Sequence, residues 1–180
     1  MAKDRATDAH SRQDPLMARY KTAPEEALIT DAARAADGSD TDPFHGLIIP
    51  GSQDYGVTIP YGIHRAVGGY HDIPNPGDFL CAALAACLDS TIRIIANRLR
   101  ISINSLRVEV TARVDVRGTL MVDRAVPVGF QQMQCDVHID AAEGTDPKLL
   151  RTLIASAERS CVNLQTLRTG VPVETIVHGR

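Results

Sequence analysis

The stretch FLCAALAACLDSTIRIIANRLR, which runs from Phe79 to Arg100, decides the fold of this 180-residue chain. Asn75 offers an N-cap before it, Pro76 stands at the first helical position, and Asp78 lies in the first turn, where the helix dipole favours a carboxylate. The first half of the stretch is apolar on nearly every face, and the second half becomes amphipathic. This pattern predicts one long helix that is buried at the centre of the fold.

The segments on either side of this helix have the patterns of strands. SLRVEVTARVDVRG at residues 105–118 alternates apolar and polar side chains without a break, which predicts a long strand with one solvated face. VPVGFQQMQCDVHID at 126–140 repeats the alternation, and we expect the two to pair antiparallel across residues 118–125. Residues 44–64 mix short β-prone pieces with Gly and Pro, which predicts hairpin strands.

The N-terminal part of the chain carries weaker signals. Residues 1–14 are polar and charged, and we expect them to be disordered. A short helix is predicted within 14–28, because Asp14 can cap it and Pro15 suits its first position. Residues 33–46 are dense in Asp, Gly and Ser, which predicts a turn region.

The C-terminal part is predicted to hold two helices and a strand. A helix capped by Thr145 or Asp146 should end at Cys161 or just before it. Residues 163–170 indicate another short helical turn that stops at its final glycine, and VPVETIV at 171–177 is typical of a last strand.

The predicted order is therefore strands, long helix, strands, helix, strand. Because helices do not separate the strands one by one, this order indicates an α+β fold with a mostly antiparallel sheet. We expect residues 1–40 to form an N-terminal extension, partly disordered or in a short helix. Residues 41–180 should form the main domain.

Composition and charge restrict the class of protein. The net charge is -3 and both signs are scattered along the chain, so we expect no nucleic-acid partner. The opening residues lack the apolar segment of a secretory signal. The longest apolar run, Phe79 to Leu88, is too short to span a bilayer. We therefore expect a cytoplasmic protein that does not associate with membranes.

Four cysteines carry the candidate chemistry: Cys81, Cys87, Cys135 and Cys161. No C-x-x-C pair and no Cys/His cluster has zinc spacing, so we expect no metal site. Cys135 faces the apolar side of its strand, which indicates a core residue. Cys81 and Cys87 are six positions apart, or about 240° around a helix, and this geometry excludes a disulfide between them.

Cys87 has two interpretations when it is taken alone. It can be a small core hydrophobe, since free cysteine is among the most buried residue types. It can also be a reactive thiol, which would need a cation such as arginine nearby, because burial raises the pKa of a thiol. Cys161 is predicted at a helix C-terminus, which disfavours a thiolate, so it suits a resolving thiol better than a first nucleophile.

Two motifs resemble the OsmC/Ohr family, the osmotically inducible and organic-hydroperoxide-resistance proteins. The first is NPGDFLCAALAACLDSTIRIIANRLRISINSLRVEVTARVDVRG, which joins the proline-initiated helix and its cysteine to the following strand. The second is AERSCVNLQTLRTGVPVE, in which another cysteine precedes a short helix. Together the matches cover about residues 68–177, in the family's order.

The resemblance implies an OsmC-like fold and an intertwined homodimer, in which two long helices lie between sheets. It also implies a thiol-dependent peroxidase that prefers organic hydroperoxides. By motif, Cys87 would be the peroxidatic thiol and Cys161 the resolving thiol. The resulting disulfide would be reduced by an external dithiol, and no metal or organic cofactor would be needed.

The chain also departs from the family pattern. The peroxidases typically carry Glu directly after the proline that starts the central helix, where this chain has Gly77. Asp78 comes one place later, about 100° around the helix, so it cannot simply substitute. The peroxidases also hold the thiolate with an Arg from the N-terminal strand region. Here Arg34 is the candidate, with Arg19 and Arg65 behind it.

Two other functions therefore remain open. The chain can be a non-peroxidase OsmC-like protein that binds a small ligand at the dimer interface, with Cys87 as packing. Alternatively, all the cysteines are structural and the role is unrelated. A cation in contact with Cys87 and a Cys161 within reach would favour the peroxidase.

Overall fold

The structure is a computed structural model that describes residues 8–35, 41–51 and 55–179. The described helices are α1 Ala9–Thr22, α2 Pro76–Arg98, α3 Pro147–Ser160 and α4 Val162–Thr169. The described strands are β1 Ala33–Ala35, β2 His45–Pro50, β3 Ile59–Gly62, β4 Ile103–Arg113 and β5 Gln132–Ala141. Short 3-10 helices lie at Pro24–Ala27 and Arg65–Val67.

The first three strands form one antiparallel sheet in the order β1-β2-β3. Ile48 lies opposite Ala35 on one side and Ile59 on the other. The predicted hairpin is confirmed as β2 and β3. Residues 33–35 form a strand, so the predicted turn is wrong there, because β2 offers these residues an edge to pair with.

The second sheet pairs β4 with β5. Backbone bonds at its two ends run from Gln131 N to Arg113 O and from Ala142 N to Ser102 O, both at 2.9 Å. The residue numbers fall along one strand as they rise along the other, so the pair is antiparallel, as predicted. Both strands are shorter than predicted, because residues 114–131 form an irregular connection between them.

α2 begins where the sequence predicts. Oδ1 of Asn75 accepts hydrogen bonds from the backbone N–H groups of Gly77 at 2.8 Å and Asp78 at 3.3 Å. The carboxylate of Asp78 in turn accepts from the backbone N–H of Asn75 at 2.9 Å and from its side-chain amide. This reciprocal capping satisfies N–H groups that have no partner within the helix.

The chain divides into two compact units: Met1–Ala82 with Val110–Cys135, and Ala83–Glu109 with Asp136–Arg180. Most of the buried apolar side chains of the described residues belong to the second unit. They are Leu84, Leu88, Ile92, Ala96, Ile101, Leu153, Ala157, Cys161 and Leu164. The first four recur every four residues, so α2 buries one stripe within the single chain.

The remaining helices settle the other predictions. Asp146 caps α3, since its carboxylate accepts from the N–H of Lys148 at 2.8 Å. The predicted helical turn at 163–170 is confirmed as α4. α1 begins at Ala9, with Asp8 as its cap, so the predicted start at Asp14 is wrong.

Residues 171–179 are exposed and have no regular secondary structure, so the predicted last strand at 171–177 is wrong for the described chain. α2 is long and apolar enough to pass a length-and-composition test for a membrane span, although the core helix of a soluble protein passes it too.

Candidate active site

The second unit brings Cys87 and Cys161 together, as the reactive interpretation of Cys87 requires. Cys87 lies half-buried in α2, and Cys161 joins α3 to α4 with 0% of its surface exposed. The Cys87 side chain lies close enough to Cys161 to raise the pKa of the Cys161 thiol. All four cysteines of the chain are present as thiols. Two cysteines from distant parts of the sequence are therefore neighbours in the fold.

Cys161 occupies a position that serves two helices. Its backbone N–H donates to the carbonyl oxygen of Ala157 at 2.9 Å, which closes α3. Its own carbonyl oxygen accepts from the N–H of Gln165 at 3.0 Å, which opens α4. The sequence predicted a helix that ends at Cys161 or just before it and a helical turn from residue 163, and the structure shows that Cys161 joins the two helices.

The environment of Cys161 raises the pKa of its thiol. Burial is the main cause, because a thiolate loses hydration there. The backbone N–H groups of Leu164 and Asn163 act in the opposite direction, and the contact with Cys87 adds to the rise. Cys161 is therefore a thiol at neutral pH.

The structure places the two predicted thiolate partners as follows. Arg34 lies exposed in β1, opposite Ile49, and its assignment to Cys87 stays a prediction. Asp78 caps α2 with Asn75, and its negative charge raises the pKa of the Cys81 thiol, after burial as the main cause.

A cleft of about 1120 Å³ lies within the first unit. Much of its wall is apolar, and polar groups stand at the start of α2 and along β4. Cys81 lines it, together with Phe130 and the side chains of β4 and the connection that follows it. Its volume lies slightly above the range that is typical of small-molecule sites, and its lining is mixed.

Gly77, which stands where the family's peroxidases typically carry Glu, lies in the wall of this cleft. A Cβ on this glycine would lie 3.0 Å from Cζ of Phe130. The aromatic ring therefore occupies the space into which a longer side chain at position 77 would extend. The replacement of the family's Glu by Gly77 is therefore accompanied by an aromatic ring in the space that the longer side chain would need.

A charged cluster in the first unit was not found from the sequence. Nδ1 of His45 lies 2.7 Å from a carboxylate oxygen of Asp42, and Nε2 lies 3.1 Å from one of Asp72. These interactions raise the pKa of His45, through Asp42 first and then Asp72. Tyr70 stacks on the imidazole, with ring centroids 5.4 Å apart. No sequence spacing could have joined positions 45 and 72.

The loop histidines His64 and His71 also meet, with ring centroids 4.1 Å apart. Nδ1 of His64 accepts from the N–H of Ala66 at 3.0 Å. Across residues 8–35, 41–51 and 55–179, no group of three or more His, Cys, Asp or Glu side chains could hold a metal ion.

Comparison with known proteins identifies the family. Residues 69–176, which make up more than half of the chain, match the family described as OsmC-like protein. The chain belongs to the OsmC-like protein family. No curated protein matches it. The family match includes α2 and the segments that carry Cys87 and Cys161.

Solved structures show the OsmC-like fold directly. An OsmC-like protein from Mycoplasma pneumoniae has a TM-score of 0.61 at 17% identity, with 79% of this chain and 89% of that chain covered. An organic hydroperoxide resistance protein from Legionella pneumophila has a TM-score of 0.55 at 22% identity, covering 79% and 91%. A third, from Elizabethkingia anophelis with thiocyanate bound, has a TM-score of 0.56 at 19% identity, covering 79% and 91%. Such identities show a shared fold.

Proposed function

We propose that the protein is a thiol-dependent peroxidase that reduces organic hydroperoxides with Cys87 and Cys161. The proximity of these two side chains carries the proposal, because disulfide formation needs the sulfur atoms to approach each other. The family match supports it, since proteins of the same fold from Legionella and Elizabethkingia are described as organic hydroperoxide resistance proteins.

The proposed reaction has three balanced steps. The Cys87 thiolate attacks the terminal oxygen of the hydroperoxide, the O–O bond breaks, and the alkoxide leaves as an alcohol after taking up a proton. Cys87 is then a sulfenic acid. The Cys161 thiol attacks its sulfur, the S–S bond forms, and the hydroxyl leaves with the thiol proton as water. An external dithiol reduces the disulfide and becomes a disulfide itself.

The raised pKa of Cys161 argues against this residue as the first nucleophile, because a protonated thiol is a poor nucleophile. In the second step Cys161 must give up its proton as its sulfur attacks. For the first step, we assign the stabilising cation to Arg34, as the family resemblance implies. Asp78 is occupied as the capping partner of Asn75.

We also propose that the protein acts as a homodimer. α2 buries Leu84, Leu88 and the residues that follow in this stripe, whereas Leu80 at its N-terminal end and Ile94 on another face are 38% and 40% exposed. A second copy of the chain would cover these faces. Because turnover needs a dithiol reductant, we place the protein in the reducing cytoplasm, with no role for nucleic acid or a membrane.

The deciding experiment adds one equivalent of an organic hydroperoxide, such as cumene hydroperoxide, to the reduced protein. Free thiols are counted and any disulfide is mapped by peptide mass. We expect the rapid loss of two thiols per chain and a Cys87–Cys161 link that is absent in the Cys87→Ser variant. Unchanged thiols in a folded protein would exclude the peroxidase.

The cleft in the first unit favours a second candidate function, the binding of a small apolar ligand without turnover. Phe130 makes the wall beside Gly77 apolar where the peroxidases typically carry an acid. Saturable binding of an apolar fluorescent probe, weakened by Phe130→Ala and accompanied by unreactive thiols, would support this candidate over the peroxidase.

A further inference from the structure

Asn163 connects the chain next to Cys161 with the helix that carries Cys87. Its side-chain Nδ2 donates to the carbonyl oxygen of Ala83 in α2 at 2.9 Å. Asn163 is the second residue of α4, the helix that begins directly after Cys161. A hydrogen bond to α2 is therefore made two residues after the resolving cysteine.

The position of the acceptor makes this contact specific. Ala83 precedes Cys87 by four residues, and in an α-helix the carbonyl at this spacing accepts the N–H of the later residue. A carbonyl oxygen has two lone pairs, so it can accept from the Asn163 amide as well. The side chain of Asn163 therefore binds the turn of α2 that holds the Cys87 backbone.

We propose that Asn163 is a positioning residue that sets the approach of the Cys161 sulfur to Cys87. The inference rests on the proposed function, in which the Cys161 thiol attacks the Cys87 sulfenic acid and water leaves. Attack needs the entering sulfur in line with the breaking S–O bond, so a small displacement of α4 slows it. The reaction of Cys87 with peroxide precedes this step and does not depend on the contact.

α4 offers a matched control in Gln165. Its Nε2 donates to the carbonyl oxygen of Glu158 at 2.7 Å, which connects α4 to α3. Gln165→Ala and Asn163→Ala each remove a side-chain amide of α4. In the wild type each of these amides donates to a backbone carbonyl of another helix. The Asn163 variant alone removes a contact with α2.

The experiment treats each reduced protein with one equivalent of cumene hydroperoxide, with and without dimedone as a sulfenic acid trap. Peptide mass then gives the trapped Cys87 and the Cys87–Cys161 disulfide as functions of time. We expect Asn163→Ala to slow disulfide closure roughly five- to tenfold, the factor expected for one hydrogen bond, and to increase trapping. The rate at which Cys87 is oxidised should not change, and Asn163→Gln should restore part of the closure rate.

The opposite results would overturn the inference. Closure at the wild-type rate in Asn163→Ala would show that the contact does not position the sulfur. Equal slowing in Gln165→Ala would show that the effect is a general loosening of α4. Thermal unfolding of both variants establishes that they are folded.

A peroxide-free measurement separates this inference from the proposed function. The fraction of Cys87–Cys161 disulfide at equilibrium in mixtures of reduced and oxidised glutathione reports how well the sulfurs are positioned. A wild-type protein that ignores peroxide but forms this disulfide, less so in Asn163→Ala, would reject the peroxidase and retain the positioning role. A wild-type protein that forms no such disulfide in either experiment would overturn both.

Discussion

The ring of Phe130 stands directly against the backbone of Gly77. A Cβ built on Gly77 would lie 3.0 Å from Cζ of Phe130 and 3.0 Å from Oδ1 of Asn75. Both separations are shorter than the optimum for non-bonded heavy atoms. The glycine thus allows the ring to pack at the start of α2, where the family's peroxidases typically place a carboxylate.

This relationship predicts how Gly77→Ala behaves. An alanine usually stabilises a helix by about 0.5–1 kcal/mol relative to glycine. We expect no such gain in the wild-type background, because the new methyl group displaces the Phe130 ring. In a Phe130→Ala background only the close approach to Asn75 Oδ1 remains, so Gly77→Ala should be less unfavourable there than in the wild-type background. Urea unfolding of the four proteins measures the coupling, and the same effect of Gly77→Ala in both backgrounds would contradict the prediction.

A second prediction concerns His45 and pH. Both imidazole nitrogens face carboxylates, and only the imidazolium can donate to Asp42 and Asp72 together. Because the pKa of His45 is raised, its contribution is fully present below its ordinary pKa of about 6.5 and is lost as the pH rises through the raised value. The pKa values of Asp42 and Asp72 are lowered, so their contribution is lost only as the pH falls below about 4.

The measurement compares the melting temperatures of the wild type and His45→Gln. We expect the wild type to have the higher melting temperature at pH 5.5, and the difference to shrink at pH 8.5. Asp72→Asn, which leaves Asp42 as the remaining carboxylate, should reduce the difference at pH 5.5. A difference that grows at high pH would show that the cluster is not held by the imidazolium.

The parts of the fold that depend on neighbouring residues could be predicted from the sequence. The cap at Asn75, the alternation along β4 and the start of α3 at Asp146 are local patterns, and the structure confirms them. The motifs also single out Cys87 and Cys161 as the candidate redox pair. Their proximity does not follow from the motifs, because it depends on how α4 packs on α2.

The parts of the fold that depend on a neighbouring segment of the chain could not be predicted. Residues 171–177 alternate like a strand, but a strand also needs a neighbouring edge for its backbone groups, and here the segment is exposed. The pairing of β1 with β2 was missed because residues 33–35 have no strand pattern of their own and become a strand only where β2 offers an edge. His45 and Asp72 are brought together by the loop before α2, and no periodicity encodes that distance.

A third prediction concerns Cys81 in the cleft. The pKa of its thiol is raised by burial and then by the charge of Asp78. Asp78→Asn removes the charge and keeps an oxygen that can accept from Asn75, so the pKa of Cys81 should fall and its alkylation by iodoacetamide at pH 8 should become faster. Asp89→Asn on the same helix is the control and should have no effect. Peptide mass distinguishes Cys81 from the other cysteines, and unchanged alkylation of Cys81 would show that its burial alone sets the pKa.

The last prediction concerns the fate of oxidised Cys87 when Cys161 cannot resolve it. In Cys161→Ser, one equivalent of cumene hydroperoxide should consume one thiol per chain, whereas the wild type loses two, and dimedone should label Cys87. Turnover with a dithiol should fall, and excess peroxide should carry Cys87 on to the sulfinic acid.

Cys161 is fully buried, so a thermal melt must first show that the variant is folded. Cys135→Ser is the control and should still lose two thiols. Loss of two thiols in Cys161→Ser would assign resolution to another cysteine, and the partner found by peptide mapping would identify it.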